Sequence, residues 1–275
     1  MPTVSPHEKR GAFIDLHKAA GLFLMPNAWD AGTARILEGL GFPALGTTSA
    51  GLAISKGVRD SSGSLSRADI LENARAIVEA TNLPVSADLE NGFGHRPEDC
   101  AQTLREAIEI GLCGSAIEDA TGDPDNPIYS FDHAVDRIRA AVEAKTDPDF
   151  LITARAENFI YDRPDLKDTI RRLQAFEKAG ADVVYAPGLP DIATVRDVCK
   201  SVSVPVNVVV GLTAASYSVG DLEMAGVKRI STGGSLARAA LGEMIRGAQE
   251  LKDGGTFGYS QHAISDADAA SLMKQ

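Results

Sequence analysis

The chain has 275 residues, 44% hydrophobic and 24% charged, with a formal net charge of −11. That balance is ordinary for a globular protein, and the length suffices for one large core or two small ones. The acidic excess argues against nucleic-acid or anionic-membrane binding, but not against small anionic substrates, because a local arginine or metal inverts the field inside a cleft.

Short apolar runs alternate with longer periodic segments along the whole chain. Met1 to Gly11 is polar and lacks the apolar stretch of a signal peptide. Leu22-Phe-Leu-Met25 is the first run. Asp30 caps a predicted helix with Ala34, Ile36, Leu37 and Leu40 on one side, ended by Gly41. Pro43 to Thr47 is the second run. Thr48-Ser-Ala-Gly-Leu52 and Lys56-Gly-Val-Arg-Asp60 then read as a loop. Ser66 to Asp69 resembles a capping box ahead of a helix carrying Ile70, Ala74, Ile77 and Val78.

The third run ends in Asp88 and Glu90, with a two-glycine turn, Gly92 and Gly94, directly after. Period-two geometry puts both carboxylates on one side of an extended chain, where they suit a hard divalent cation. A solvated acidic turn is the competing account. Pro97 starts the next helix, with Leu104, Ala107 and Ile108 as its apolar side. Gly114 to Asp119 is the fourth run, and residues 120–130 form a polar loop. Val135, Ile138 and Val142 mark a helix.

Phe150 to Arg155 is the fifth run, with a helix over 165–179 ended at Gly180. Asp182 to Ala186 is the sixth, with a helix near 191–200. Val204 to Val210 and Lys228 to Thr232 are the seventh and eighth. Gly233-Gly234 opens a last amphipathic segment, with Leu236, Ala240, Met244 and Ile245 on one side. Asp266 to Met273 reads as a short helix in a less regular tail.

Eight runs, each with a helix-like segment after it, predict an α/β fold of the (β/α)8 TIM-barrel type. No Pro- or Ser-rich linker divides the chain. It is read as one barrel domain over 1–275, with 254–275 as a C-terminal extension. A doubly wound open sheet and a two-domain chain are the alternatives, although no GxGxxG follows the first run. Cys100, Cys113 and Cys199 are scattered and odd in number, which points to a reducing compartment with neither disulfide framework nor zinc site. No stretch approaches transmembrane length, so the expected location is the cytoplasm.

Barrel enzymes carry their chemistry at the C-terminal ends of the strands. The polar residues of this chain fall there repeatedly: Ser49, Asp88 and Glu90, Glu118 and Asp119, Arg155 with Glu157 after it, and Asn207. Carboxylates and a guanidinium from three adjacent strands describe a metal site beside an anion clamp. His95, just past the turn, is either a base or a surface histidine. Gly233-Gly234 either binds a phosphate or allows tight strand–helix packing.

At these residues the chain resembles the isocitrate lyase/phosphoenolpyruvate mutase superfamily. The similarity runs from Met25-Pro-Asn-Ala-Trp-Asp30 through Thr48 to Leu52, Gly57 to Asp60, Ala87 to Gly94, Ile117 to Asp119, Thr153 to Arg155 and Gly180 to Asp182, as far as Gly234. The resemblance implies a barrel enzyme that makes or breaks a bond at the carbon beside a 2-oxo acid, through an enolate held by Mg2+, with Mn2+ as the alternative ion. Metal contacts are implied for Asp88, Glu90 and Glu118. Substrate contacts are implied for Ser49, for the N–H groups of Ala50 and Gly51, for Asp88, for Arg155 and, at a distal carboxylate, for Asn207. Asp60 matches an acidic residue near the reacting centre.

The lyases carry a Lys/Arg-Cys-Gly-His loop whose Cys serves as acid. Here that loop is Asp119 to Tyr129, without a cysteine. An oxaloacetate-like decarboxylation or cleavage, with water or Tyr129 as the acid, is therefore the reading for this chain. Phosphoenolpyruvate mutase or phosphonopyruvate hydrolase chemistry and a non-catalytic 2-oxo-acid binder stand as alternatives. The expected partners are small 2-oxo or 2-hydroxy di- or tricarboxylates, not nucleic acid or membrane. The resemblance further implies homodimers or homotetramers that exchange the last helix.

Overall fold

The barrel closes at a proline. In the computed structural model, which describes residues 3–60, 64–212 and 217–273, the first strand is split into β1 (Phe23–Met25) and β2 (Asn27–Ala28). Pro26 lies between them and has no N–H to offer a ladder. β1 pairs with the last strand, β9 (Arg229–Ser231), and β2 pairs with β3 (Leu45–Thr47). The split strand thus occupies one barrel position and bridges both neighbours.

The remaining strands are β4 (Val85–Asp88), β5 (Gly114–Glu118), β6 (Leu151–Arg155), β7 (Val183–Tyr185) and β8 (Val206–Val209). They follow one another in chain order, and every pair is parallel. This is the (β/α)8 architecture, with all eight expected runs in place.

The wall helices are α2 (Ala31–Gly39), α4 (Arg67–Ala80), α5 (Pro97–Glu109), α6 (Phe131–Glu143), α7 (Leu166–Lys178), α8 (Ile192–Ser201), α9 (Val219–Ala225) and α10 (Ser235–Gln249). The predicted apolar faces of α4 and α5 are the buried ones, whereas on α2 Ala34 and Leu37 are buried and Leu40 is exposed. α4 buries Ile70, Ala74, Ile77 and Val78, and α5 buries Leu104, Ala107 and Ile108. α10 departs from expectation. It buries only Ala237 and Gly247, and Leu236, Met244 and Ile245 face outward.

Two helices lie where the sequence suggested none. α1 (Pro6–Lys18) starts at a Ser5–Glu8 capping box. It seats Phe13 against Phe23, Ala44, Cys113 and Leu151 at the strand beginnings, closing the barrel floor. Buried Lys9 donates to the carbonyls of Val78 and Thr81. α3 (Ser49–Ser55) occupies the stretch expected to be a loop, capped by the Thr48 hydroxyl. In the tail, α11 (Asp266–Leu272) lies on α2 of its own chain, with Arg35 donating to the Met273 carbonyl at 2.7 Å. None of the helices among the described residues is long and apolar enough to cross a membrane.

Candidate active site

The strand ends of β3 to β9 surround a cleft of about 380 Å3. Its acidic wall is organised by one guanidinium. Arg155, the last residue of β6, meets Asp88 Oδ1 at 3.1 Å, Glu118 Oε2 at 3.1 Å and Glu157 Oε1 at 2.9 Å. In-register pairing sets Glu118 of β5 beside Arg155. Glu157 follows two residues later, and its N–H is anchored on buried Asp119 at 2.8 Å. Asp119 in turn takes Arg172 Nη1 at 2.9 Å. Asp119 therefore braces the β5 and β6 ends from behind the cleft.

Burial opposes charge on Arg155, yet Glu157, Glu118 and Asp88 hold it firmly protonated. Burial pushes the Glu118 carboxyl well up, against the pull of Arg155. Glu157 is raised by the same cause, and its Oε2 is buried without a partner. The resemblance implies a substrate contact for Arg155. Its three nitrogens are already engaged by carboxylates of the chain.

Glu90 reaches the cleft by a different route from the one period-two geometry suggests. β4 ends at Asp88, and Glu90 has φ +46, followed by Gly92 at +79 and Phe93 at +58. A left-handed glutamate is uncommon, and such strain concentrates at functional sites. At Gly92 a side chain would also collide with Cys100 Sγ at 2.7 Å. Burial raises the Glu90 carboxyl to about 8, helped by the negative charges of Asp88 and Asp60.

Of the remaining expected residues, Ser49, Ala50, Asp60 and Asn207 line the cleft. The Ser49 hydroxyl donates to Asp88 Oδ2 at 2.9 Å. Gly51 does not line it. Its N–H is taken by Thr48 Oγ1 at 3.3 Å, and a Cβ there would meet Trp29 Cβ at 2.7 Å. Asn207 has both amide ends occupied, accepting from Arg229 Nε at 2.8 Å and donating to Ser231 Oγ at 3.0 Å.

Tyr129 stands outside the cleft lining. The 120–130 loop closes on itself through an Ala120–Ile128 bridge, and the Tyr129 N–H is held by the Asp119 carbonyl at 2.8 Å. The ring then turns toward α6, where the Tyr129 hydroxyl meets His95 Nδ1 at 2.8 Å and Arg137 covers the ring face at 4.3 Å. His95 is thereby a partner of Tyr129. At the other glycine pair, the Gly233 N–H donates to Asn27 Oδ1 at 2.9 Å, and a Cβ on Gly234 would touch Ala50 Cβ at 3.0 Å, so packing accounts for both.

Sequence reasoning missed three contributors. Asn27, just after the split in the first strand, accepts the N–H groups of Thr232 and Gly233 and donates to the Thr47 carbonyl, tying both sides of the seam. Tyr161 and Arg229 also line the cleft. Asn27 carried a signal, a polar residue inside an apolar run. Arg229 sits at the start of its strand, where polar residues are ordinarily discounted. Among the described residues, no group of three or more His, Cys, Asp or Glu side chains has the arrangement of a metal-ligand cluster.

A parallel eight-stranded barrel with an acidic, arginine-centred cleft at its strand ends defines a (β/α)8 protein with an enzyme-like site. The chain belongs to the phosphoenolpyruvate phosphomutase family, whose model matches residues 13–252, within the isocitrate lyase/phosphoenolpyruvate mutase superfamily. It is 37% identical over 144 residues to 2-methylisocitrate lyase of Escherichia coli K12, a match spanning 50% of this chain and 48% of that enzyme. It is 30% identical over 219 residues to oxaloacetate decarboxylase of Pseudomonas entomophila L48, covering 76% and 73% of the two chains. A crystal structure of a proposed lyase/mutase from Burkholderia cenocepacia J2315 superposes with a TM-score of 0.95 at 48% identity, covering 98% of this chain and 97% of that one.

Proposed function

We propose that this protein is a Mg2+-dependent enzyme that breaks a C–C bond beside the 2-oxo group of a small dicarboxylate, as in decarboxylation or hydrolytic cleavage of an oxaloacetate-like acid. The observation that carries the reading is the convergence of Asp88, Glu90 and Glu118 on one cleft wall around Arg155. Relatives named 2-methylisocitrate lyase and oxaloacetate decarboxylase, each at least 30% identical, support it.

The donor set fits a hard divalent cation. All three side chains offer oxygen, and with Asp60 and Glu157 they outnumber the three arginines that line the cleft, Arg155, Arg229 and Arg238. Mg2+ commonly keeps most of its waters and takes one or two carboxylates, so a three-ligand protein cage is not required. Asp88 would hold the ion, with Glu90 and Glu118 as the further carboxylates of the same cleft wall that would support it. When bound, the cation supplies positive charge to the carboxylate and 2-oxo oxygens, lowering the cost of enolate charge.

The chain's own residues do the rest. Arg155 fixes the Asp88 and Glu118 carboxylates, so the wall is pre-organised before substrate enters. Ser49 orients Asp88 from the opposite side. Asp60, which lines the cleft, is the remaining side chain of the expected catalytic set that faces it, and it or a water delivers the proton that the enolate carbon takes up once the C–C bond has broken.

Oxaloacetate consumption by purified protein, stripped with EDTA and then resupplied with Mg2+, tests the reading. Activity is expected to vanish and return, and Asp88→Ala is expected to lower kcat by at least about 100-fold. Turnover that survives EDTA, or a fully active Asp88→Ala protein, sinks it. The family's name motivates a second reading, P–C bond chemistry on phosphonopyruvate. An unchanged phosphorus NMR spectrum after incubation removes that competitor.

A further inference from the structure

Arg229 is a buried cation with no carboxylate beside it. It is 2% exposed, and among the described residues it forms no salt bridge within 4 Å. Its side chain runs inside the barrel between the floor and the cleft. Nε donates to Asn207 Oδ1 at 2.8 Å and Nη2 to Thr153 Oγ1 at 2.8 Å. Nη1 lies 3.3 Å from His17 Nε2. All three partners are neutral. His17 is held neutral because burial and the adjacent Arg229 push its pKa down to about 3.

An unpaired buried charge is expensive, and replacing it with apolar groups is often neutral or favourable. Every other buried arginine in this barrel has an explanation in scaffolding. Arg172 pairs with Asp119 and Asp168, Arg10 pairs with Asp147, and Arg137 clamps loop carbonyls. Arg229 alone among these four combines a net charge, neutral partners and a place on the cleft lining.

Its effect on the cleft runs through Asn207. A guanidinium only donates, so the Nε–H forces the Asn207 carbonyl oxygen toward Arg229. The Asn207 NH2 is thereby turned to Ser231 Oγ, 3.0 Å away, and Ser231 also lines the cleft. The wall of β7 to β9 presents neutral donors backed by a cation, opposite the carboxylates of β4 to β6.

We propose that Arg229 is a positioning and specificity-determining residue that makes the β8–β9 wall a seat for a second anionic group, so that the cleft selects 2-oxo dicarboxylates over 2-oxo monocarboxylates. This rests on the 2-oxo-acid reading above. The charge favours the distal carboxylate through the low-dielectric floor, while the Ser231 hydroxyl, which accepts from Asn207 and keeps its own hydrogen, and the second Asn207 amide hydrogen serve as donors.

Calorimetric titration of the full-length protein in Mg2+ with pyruvate and with 2-oxoglutarate tests the inference. The wild type is expected to bind 2-oxoglutarate more tightly. Arg229→Met is expected to weaken 2-oxoglutarate by about tenfold or more and pyruvate by less than about twofold, with Arg229→Lys restoring part of the preference. Asn207→Asp neutralises the cation in place, and should reproduce the selective loss even where Arg229→Met fails to fold. Equal losses for both acids, or an unchanged preference in Asn207→Asp, overturns the role of Arg229 while leaving the 2-oxo-acid reading standing. A wild type that binds neither acid overturns both.

Discussion

Arg155 is the residue on which the acidic wall depends. Three carboxylates share its charge, and all four side chains are at most 20% exposed. Removing one partner of a buried charge group leaves the others uncompensated, at a cost of about 3–5 kcal/mol. Arg155→Met is therefore expected to lower stability by that order, read as a shift of the urea midpoint at unchanged slope. Saturating Mg2+ should recover part of the loss, because a cation at Asp88 replaces some of the missing charge; an Arg155→Met midpoint indifferent to Mg2+ would count against the metal assignment.

His17 gives a pH dependence of known sign. Its pKa drops from 6.5 to about 3 on folding, through burial first and Arg229 second. Above pH 6.5 neither folded nor unfolded chain protonates it, and stability is unaffected. Between pH 6.5 and 3 the unfolded chain takes up a proton that the folded chain refuses. Stability then falls with decreasing pH by up to about 1.4 kcal/mol per unit from this group. In His17→Gln that contribution is expected to disappear, leaving a shallower decline in melting temperature between pH 6 and 4. A mutant with the wild-type pH profile refutes it.

At the scale of elements, α6 controls the turn that delivers Glu90. Arg137 is fully buried and donates to the carbonyls of His95, Arg96 and Asn91 while covering Tyr129. His133 of the same helix reaches the His95 carbonyl at 2.7 Å. Arg137→Met removes the charged donor from three carbonyls that keep only His133, the Asp99 N–H and the weak Cys100 thiol, for a loss of about 1.5–3 kcal/mol. It should also lower kcat more than it raises KM, since Glu90 sits on the loosened turn. Wild-type kinetics in a destabilised Arg137→Met protein would show that the turn holds its shape unaided.

The elements that were legible in sequence share a property. β4 to β8 fall in short runs of mostly small or apolar residues, and α4 and α5 repeat at helical spacing, so a local window contains most of the signal. α1 and α3 lack that. α1 buries Lys9 and Arg10 through hydrogen bonds to carbonyls far along the chain, and its polar sequence hides the burial. α3 is seven residues of mostly small side chains, which read as a loop. The site divides the same way. That Asp88, Glu118 and Arg155 line the cleft was legible because they end strands. Arg229, Asn27 and the occlusion of Gly51 depend on contacts between residues distant in sequence. The direction of Tyr129 is set by the loop closure and by Arg137, which no pattern at residue 129 announces.

At the scale of the whole molecule, an apolar face is left uncovered among the described residues. α10 buries almost nothing of its apolar side, and Leu236, Met244, Ile245, Leu251, Phe257 and Tyr259 are all exposed along it and the segment after it. Large contiguous apolar patches on a soluble protein ordinarily mark an interface, and a net charge of −11 makes an acidic partner a poor candidate for it. A second copy of the chain is the occupant expected from the family resemblance, with the extension beyond Gly254 at the contact. In this structure α11 rests on its own α2, so an exchange of that helix requires it to leave Arg35 and seat on a neighbour's α2 instead. Light scattering should give a dimer or tetramer for the full chain. Met244→Glu with Ile245→Glu, both on exposed positions, should shift it toward monomer while leaving the far-ultraviolet circular dichroism unchanged. Deleting residues 255–275 separates the two contributions: an oligomer that survives deletion but not the double glutamate change rests on α10, whereas one lost on deletion alone depends on the tail. A full-length chain that is monomeric at high micromolar concentration removes the interface altogether.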